Sequence, residues 1–203
     1  MVMKWLLKAW SYISNPIFVP ALVSLWYFVE VSMSDPNIMR TKMYLILILT
    51  AAIPLLLFLI LKVLKAVSSI HLEAARERIT PLLLYCILLI ILVRGVFKDG
   101  SHQPLYYFFI GVLMASFVAL ALAIVRYKIS LHMLAMGGAL GFVLMLSINL
   151  GITFLNTIVF LIIASGITAS SRLLMKAHEG HELWFGIALG LASQVIAASY
   201  YIL

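Results

Sequence analysis

Apolar residues fill this chain in runs of about twenty, and polar residues are confined to short stretches between the runs. At about 1.5 Å per residue, a helix of that length matches the roughly 30 Å hydrocarbon thickness of a bilayer. The runs cover about 13–31, 43–67, 81–97, 104–125, 129–149, 151–169 and 183 to the C-terminus. They do not alternate in polarity every second residue, as barrel strands must. The pattern predicts an all-α fold, a polytopic transmembrane bundle of about seven crossing helices in one domain, residues 1–203. Residues 1–12, with Lys4, Trp5, Lys8 and Trp10, read as a short interfacial helix. Pro20 predicts a kink in the first span, Pro54 lies inside the second, and Asp35-Pro36-Asn37 reads as a turn between them. Pro81 suits the first turn of the third span. A tight turn is expected at 98–103.

Composition removes the soluble alternatives. Of 203 residues, 65% are hydrophobic and 10% charged, against about 25% charged in a soluble domain. Cys86 is the only cysteine, so an intrachain disulfide and a cysteine-ligated metal are excluded. The first apolar stretch has no small-residue cleavage site, so no cleavable signal peptide is expected. The net charge of +7 comes from residues near the ends of spans. Phospholipid headgroups or a phosphorylated lipid are therefore the expected partners, rather than nucleic acid.

Counting crossings brings three polar segments to one side. Span 3 leaves the side that carries 68–80 and span 4 returns; span 5 leaves again and span 6 returns. Residues 126–132 and 170–182 therefore share that side with 68–80. Together these segments offer His71, Arg76, Arg78, Lys128, His132, Arg172, His178 and Glu182. Guanidinium groups bind phosphate through planar, bidentate hydrogen bonds. Imidazole can attack phosphorus or protonate a leaving group near neutral pH.

At these segments the chain resembles the type-2 phosphatidic acid phosphatase family of membrane lipid phosphatases. Ser130-Leu131-His132 resembles the family's Ser-Gly-His motif, with leucine in place of glycine. Ser171-Arg172, His178 and Glu182 match the spacing of its third motif, with glutamate in place of aspartate. The first motif is matched by His71 in the lysine place and Arg78 in the arginine place, with Pro81 displaced by two residues. The phosphatase-like core is thus residues 68–190, with motifs at 71–81, 128–132 and 171–182. The resemblance implies hydrolysis of a lipid phosphate or prenyl pyrophosphate through a phosphohistidine on His178, without a metal or other cofactor. Glu182 would orient His178, and His132 would protonate the leaving group and then activate water. Arg172, Arg78, Arg76, Ser130, Lys128 and His71 would hold the phosphate.

The resemblance also implies a multi-pass protein of a bacterial inner membrane with its site on the extracytoplasmic face. The distribution of cations argues the other way. The motif-bearing side holds ten of the fourteen Lys and Arg, which the positive-inside rule assigns to the cytoplasm. Setting aside Arg76, Arg78, Lys128 and Arg172 as ligands leaves six against four. The competing reading is a catalytically inactive relative that binds anionic lipids, or a small transporter. Arg172 and Lys176 could simply anchor a span, and Glu179 and Glu182 could simply complement a helix dipole.

Overall fold

The computed structural model describes residues 2–64, 75–97 and 102–202. His71 and the expected turn at 98–101 lie outside the described residues. The described chain is helical, without strands: α1 Val2–Ile13, α2 Val19–Glu30, α3 Pro36–Leu47, α4 Ile53–Val63, α5 Ile79–Val96, α6 Gln103–Ile124, α7 Leu131–Leu150, α8 Leu155–Leu174 and α9 Gly180–Ile202. A π-helical turn, Ile48–Ala52, joins α3 to α4, and a 3₁₀ turn, Ala75–Arg78, leads into α5.

Six helical stretches are long and apolar enough to cross a membrane: Pro36–Val63, Ala75–Val96, α6, α7, α8 and Gly180–Tyr200. This is a multi-pass helical bundle, and its outer surface is correspondingly apolar. Val29, Leu56, Ile91, Phe160, Ile163 and Val195 are all exposed. The first predicted span is represented by the shorter α2. Its twelve residues reach about 18 Å. The reason is local. Asn15 closes a turn by accepting the Ile17 and Phe18 N–H groups through its side chain and carbonyl. The helix therefore starts only at Val19, and Pro20 falls in its first turn, where a missing N–H costs nothing. Pro20 starts this helix rather than kinking it.

Asp35-Pro36-Asn37 likewise opens a helix. The Asp35 carboxylate accepts the Asn37 N–H at 2.7 Å, and Pro36 takes the first helical position. Pro54 sits just past the π-helical turn, whose wider spacing absorbs the clash a proline ring makes with the preceding turn.

Two contiguous cores hold the bundle. The larger includes Phe28, Leu92, Leu105, Phe108, Phe142 and Val143, and the smaller centres on Ala119, Ala123 and Ile129. Apolar burial gains little when lipid is the alternative solvent, so close backbone approach matters more. Helices α7 and α9 make that approach through glycine. A Cβ on Gly186 would stand 2.6 Å from the Ser130 carbonyl oxygen. One on Gly137 would collide with the Ile187 carbonyl, and one on Gly190 with the Leu134 carbonyl.

Candidate functional site

The three polar segments interlock at one end of the bundle. Arg78, from the 3₁₀ turn, donates from Nη1 to the Ile129 carbonyl at 2.6 Å. Lys128 donates from Nζ to the Ala177 carbonyl at 2.8 Å. The Ser130 N–H donates to the Glu182 carbonyl at 3.0 Å. Helix α8 ends just after Arg172. Lys176 adopts a left-handed φ of 53°, and the Ala177 N–H turns back onto the Arg172 carbonyl at 3.1 Å. This reversal brings His178 back beneath the end of α8, four residues before Glu182 in the first turn of α9.

His178 and Glu182 pair at this end of the bundle. Nδ1 of His178 lies 2.5 Å from Oε2 of Glu182, and both residues are buried. A carboxylate can only accept, so Nδ1 carries the hydrogen and Nε2 keeps its lone pair. The Glu179 N–H also donates to the same carboxylate oxygen, at 3.3 Å. Burial, and then the cations Arg78, Lys128 and Arg172, push the His178 imidazole down to about 3 from its ordinary 6.5. His178 is therefore a neutral, oriented imidazole across the whole physiological range.

Arg172 is 2% exposed. Its Nη1 donates to the Ser11 hydroxyl at 2.6 Å, while its Nε is enclosed and has no partner. Burying an unsatisfied guanidinium donor costs free energy, so such a donor marks a place for an acceptor. His132, at the start of α7, places Nε2 3.3 Å from the Ser11 carbonyl. That carbonyl accepts, which puts the ring hydrogen on Nε2.

Arg78, His132, Arg172, His178 and Ser11 all line the polar end of one cavity of about 300 Å³. The rest of its wall is mostly apolar and is drawn from α2, α4, α5, α6, α7 and α9, including Phe58, Leu84, Leu88, Phe108 and Leu134, with Tyr85, Ser116 and Gln194 as polar exceptions. The cavity has a cationic head and an oily body.

Comparison of the chain with family models, with curated proteins and with solved structures finds no match.

The predicted residues do not all reach the cavity. His178, Glu182, His132, Arg172 and Arg78 come together. Arg76 is exposed, because a 3₁₀ turn of three residues per revolution points residues two apart in different directions. Ser130 is fully enclosed and caps α7, its Oγ accepting the Met133 N–H at 3.4 Å. Lys128 ties one polar segment to the other. His71 lies outside the described residues. Leu131, between Ser130 and His132, lines the cavity. Among the described residues, no cluster of three or more His, Cys, Asp or Glu side chains is placed to hold a metal ion.

Ser11 is the participant that the motifs did not indicate. It sits on α1, which lies against the end of α8 rather than merely at the membrane surface. Trp10 Nε1 donates to the Thr168 hydroxyl at 2.9 Å, and the Ser171 hydroxyl donates to the Leu7 carbonyl at 2.7 Å. One sequence signal was available. Ser11 follows Trp10, at the point where the amphipathic pattern of residues 1–12 gives way to the turn before α2.

Proposed function

We propose that this protein is a membrane phosphohydrolase that cleaves the phosphate from an amphiphile through a phosphohistidine on His178. The observation that carries the reading is the His178–Glu182 pair set beside two buried arginines, at the cationic end of a largely apolar cavity. The substrate phosphate sits on Arg172 and Arg78, where their guanidinium groups counter the charge that develops on its oxygens. The lone pair of His178 Nε2 attacks phosphorus, and the bond from phosphorus to the leaving oxygen breaks. His132, acting as an imidazolium with Nε2–H held on the Ser11 carbonyl, gives that oxygen its Nδ1 proton. Glu182 holds Nδ1–H and steadies the imidazole as it becomes cationic. Water then attacks the phosphohistidine and gives its proton to His132; the P–N bond breaks and inorganic phosphate leaves. The apolar body of the cavity receives the tail, and α4, which buries none of its own residues, is the wall beside which a lipid enters.

The reading includes a bacterial inner membrane, with the site on the extracytoplasmic face. Arg78 and Arg172 are buried at the site and Lys128 bonds a carbonyl, so these cations are poor markers of the cytoplasmic side. Lys176→Cys tests the side, because an impermeant maleimide added to intact spheroplasts should label it.

Purified protein reconstituted in lipid nanodiscs should release phosphate from dodecyl phosphate. His178→Ala should lower the rate by on the order of 10³-fold or more. Full activity in that variant would reject the mechanism. Leu131 at the cavity wall favours a second reading, an anion-binding relative without turnover. Saturable binding of dodecyl phosphate with no phosphate release from any amphiphile would select it.

A further inference from the structure

One polar and one aromatic residue are shared between the main cavity and a smaller void. Gln194 of α9 is 3% exposed and donates from Nε2 to the Phe108 carbonyl of α6 at 3.1 Å. Its amide fills a slot left by Gly111, where a Cβ would stand 2.6 Å from Gln194 Nε2. Phe108 and Gln194 line the main cavity and also a second void of about 20 Å³ beyond it, which reaches Met145 and Asn149 near the other end of α7. These two residues are the partition between the two spaces. A buried amide in the middle of a membrane helix is expensive unless it is bonded, and this one crosslinks α6 to α9 at that partition.

The depth to the partition follows from helical rise. Gln194 lies twelve positions beyond Glu182 on α9, or about 18 Å at about 1.5 Å per residue. One leaflet's hydrocarbon depth is about half of 30 Å, so the bore is about one leaflet deep. Its volume of about 300 Å³ lies at the lower end of the range for ligand pockets, about 300–1,000 Å³. Such a bore takes one chain rather than two.

We infer that Phe108 and Gln194 form a floor that selects single-chain phosphate amphiphiles and limits the tail to about one leaflet's depth. The inference rests on the phosphate-site reading above. It adds which tail that site accepts and which residues decide it. The polar head docks on Arg172 and Arg78, and the tail runs between α5, α6 and α7 until it meets the Phe108 ring and the Gln194 amide. Tails that exceed the depth must bend out of the bore, and double-chain lipids cannot place both chains in it.

The test is a tail-length series of n-alkyl monophosphates, from six to eighteen carbons, each at the same mole fraction in nanodiscs that carry the full-length protein. Phosphate release is followed, and binding is followed separately on His178→Ala. The wild type should show a break, with at least a tenfold fall in rate or affinity over a few added carbons. Gln194→Ala removes the amide and joins the two voids, so the break should move to longer tails by two carbons or more. Gly138→Ala adds a methyl at the same level. The new Cβ stands 3.9 Å from Gln194 Nε2, which is ordinary contact, so the protein should fold and the break should move to shorter tails. Opposite shifts in the two variants support the floor. An unchanged profile in Gly138→Ala, or a wild type indifferent to tail length, overturns it. Turnover with unshifted profiles sinks the floor and spares the hydrolase reading. Shifted binding profiles without turnover do the reverse.

Discussion

Helices α7 and α9 and helices α3 and α4 are built on opposite principles. The α7–α9 pair is closed by glycines at 137, 186 and 190, where no side chain larger than hydrogen fits without moving backbone. The pair carries His132 at the head of one helix and Glu182 at the head of the other, with His178 just before it. The α3–α4 pair is interrupted by a π-helical turn and Pro54, and no residue of α4 is buried. Rigid backbone contact thus lies beneath the groups that must hold a fixed geometry. On the proposed reading, the loosely packed element is the wall past which a lipid moves. Reacting groups tolerate little displacement, whereas a path for lipid requires it.

The glycine seam is the most sensitive part of the closely packed pair. Gly190→Val would push against the Leu134 carbonyl and the Gly138 N–H. Overpacking of this kind costs about 1–3 kcal/mol or more where backbone must shift. The thermal midpoint in detergent should fall by several degrees and phosphate release should fall with it. A stable, fully active Gly190→Val would show that the seam does not set the site.

Ser11 offers a sharper probe of the rigid side. Ser11→Ala leaves Arg172 Nη1 without its hydroxyl partner, and hydrogen bonds to charged groups are worth about 1.5–3 kcal/mol. Phosphate release should fall about tenfold or more, and Ser11→Thr should restore most of it. Failure of threonine to rescue would assign the loss to packing of α1 rather than to Arg172.

Acid stability reports the electrostatics of the same end. In the folded protein His178 stays neutral down to about 3, whereas in the unfolded chain it titrates near 6.5. Between those values the unfolded chain binds a proton that the folded one does not. Stability is therefore complete above about 6.5 and declines as the pH falls toward 3. His178→Gln should flatten the decline of thermal midpoint over that window. An equal slope in variant and wild type would mean that His178 is not held neutral. The smallest effect is expected on the other side of the comparison. Leu56→Ala on α4 removes an exposed side chain, so stability should change by no more than about 0.5 kcal/mol.

The spans were legible because lipid selects for length and apolarity, and both are read directly from residue type. The start of α2 was less so. Asn15 and Pro16 decide it through a turn, and an apolar run across 13–31 conceals that turn. The pairing of His178 with Glu182 was legible from the motif spacing alone; the turn at Lys176 and the start of α9 at Gly180 are what bring the two side chains together. The fates of Arg76 and Arg78 were not, since either cation fits the motif until a 3₁₀ turn sends one outward. Lys128 and Ser130 were assigned to phosphate, yet the structure uses both on the backbone, where a loop carbonyl and a helix N-terminus needed partners. Ser11 was only faintly signalled, for a different reason. Amphipathicity says that residues 1–12 prefer an interface, but not that the end of α8 supplies one.

The central claim is that His178 is the nucleophile at a phosphate site built by distant polar segments. Rapid alkaline quench of the reconstituted protein turning over ³²P-labelled dodecyl phosphate tests it most directly. The account predicts an acid-labile, alkali-stable label on the peptide containing residue 178, absent from His178→Gln. Phosphate release at full rate with no label on that peptide, or undiminished in the variant, would contradict it.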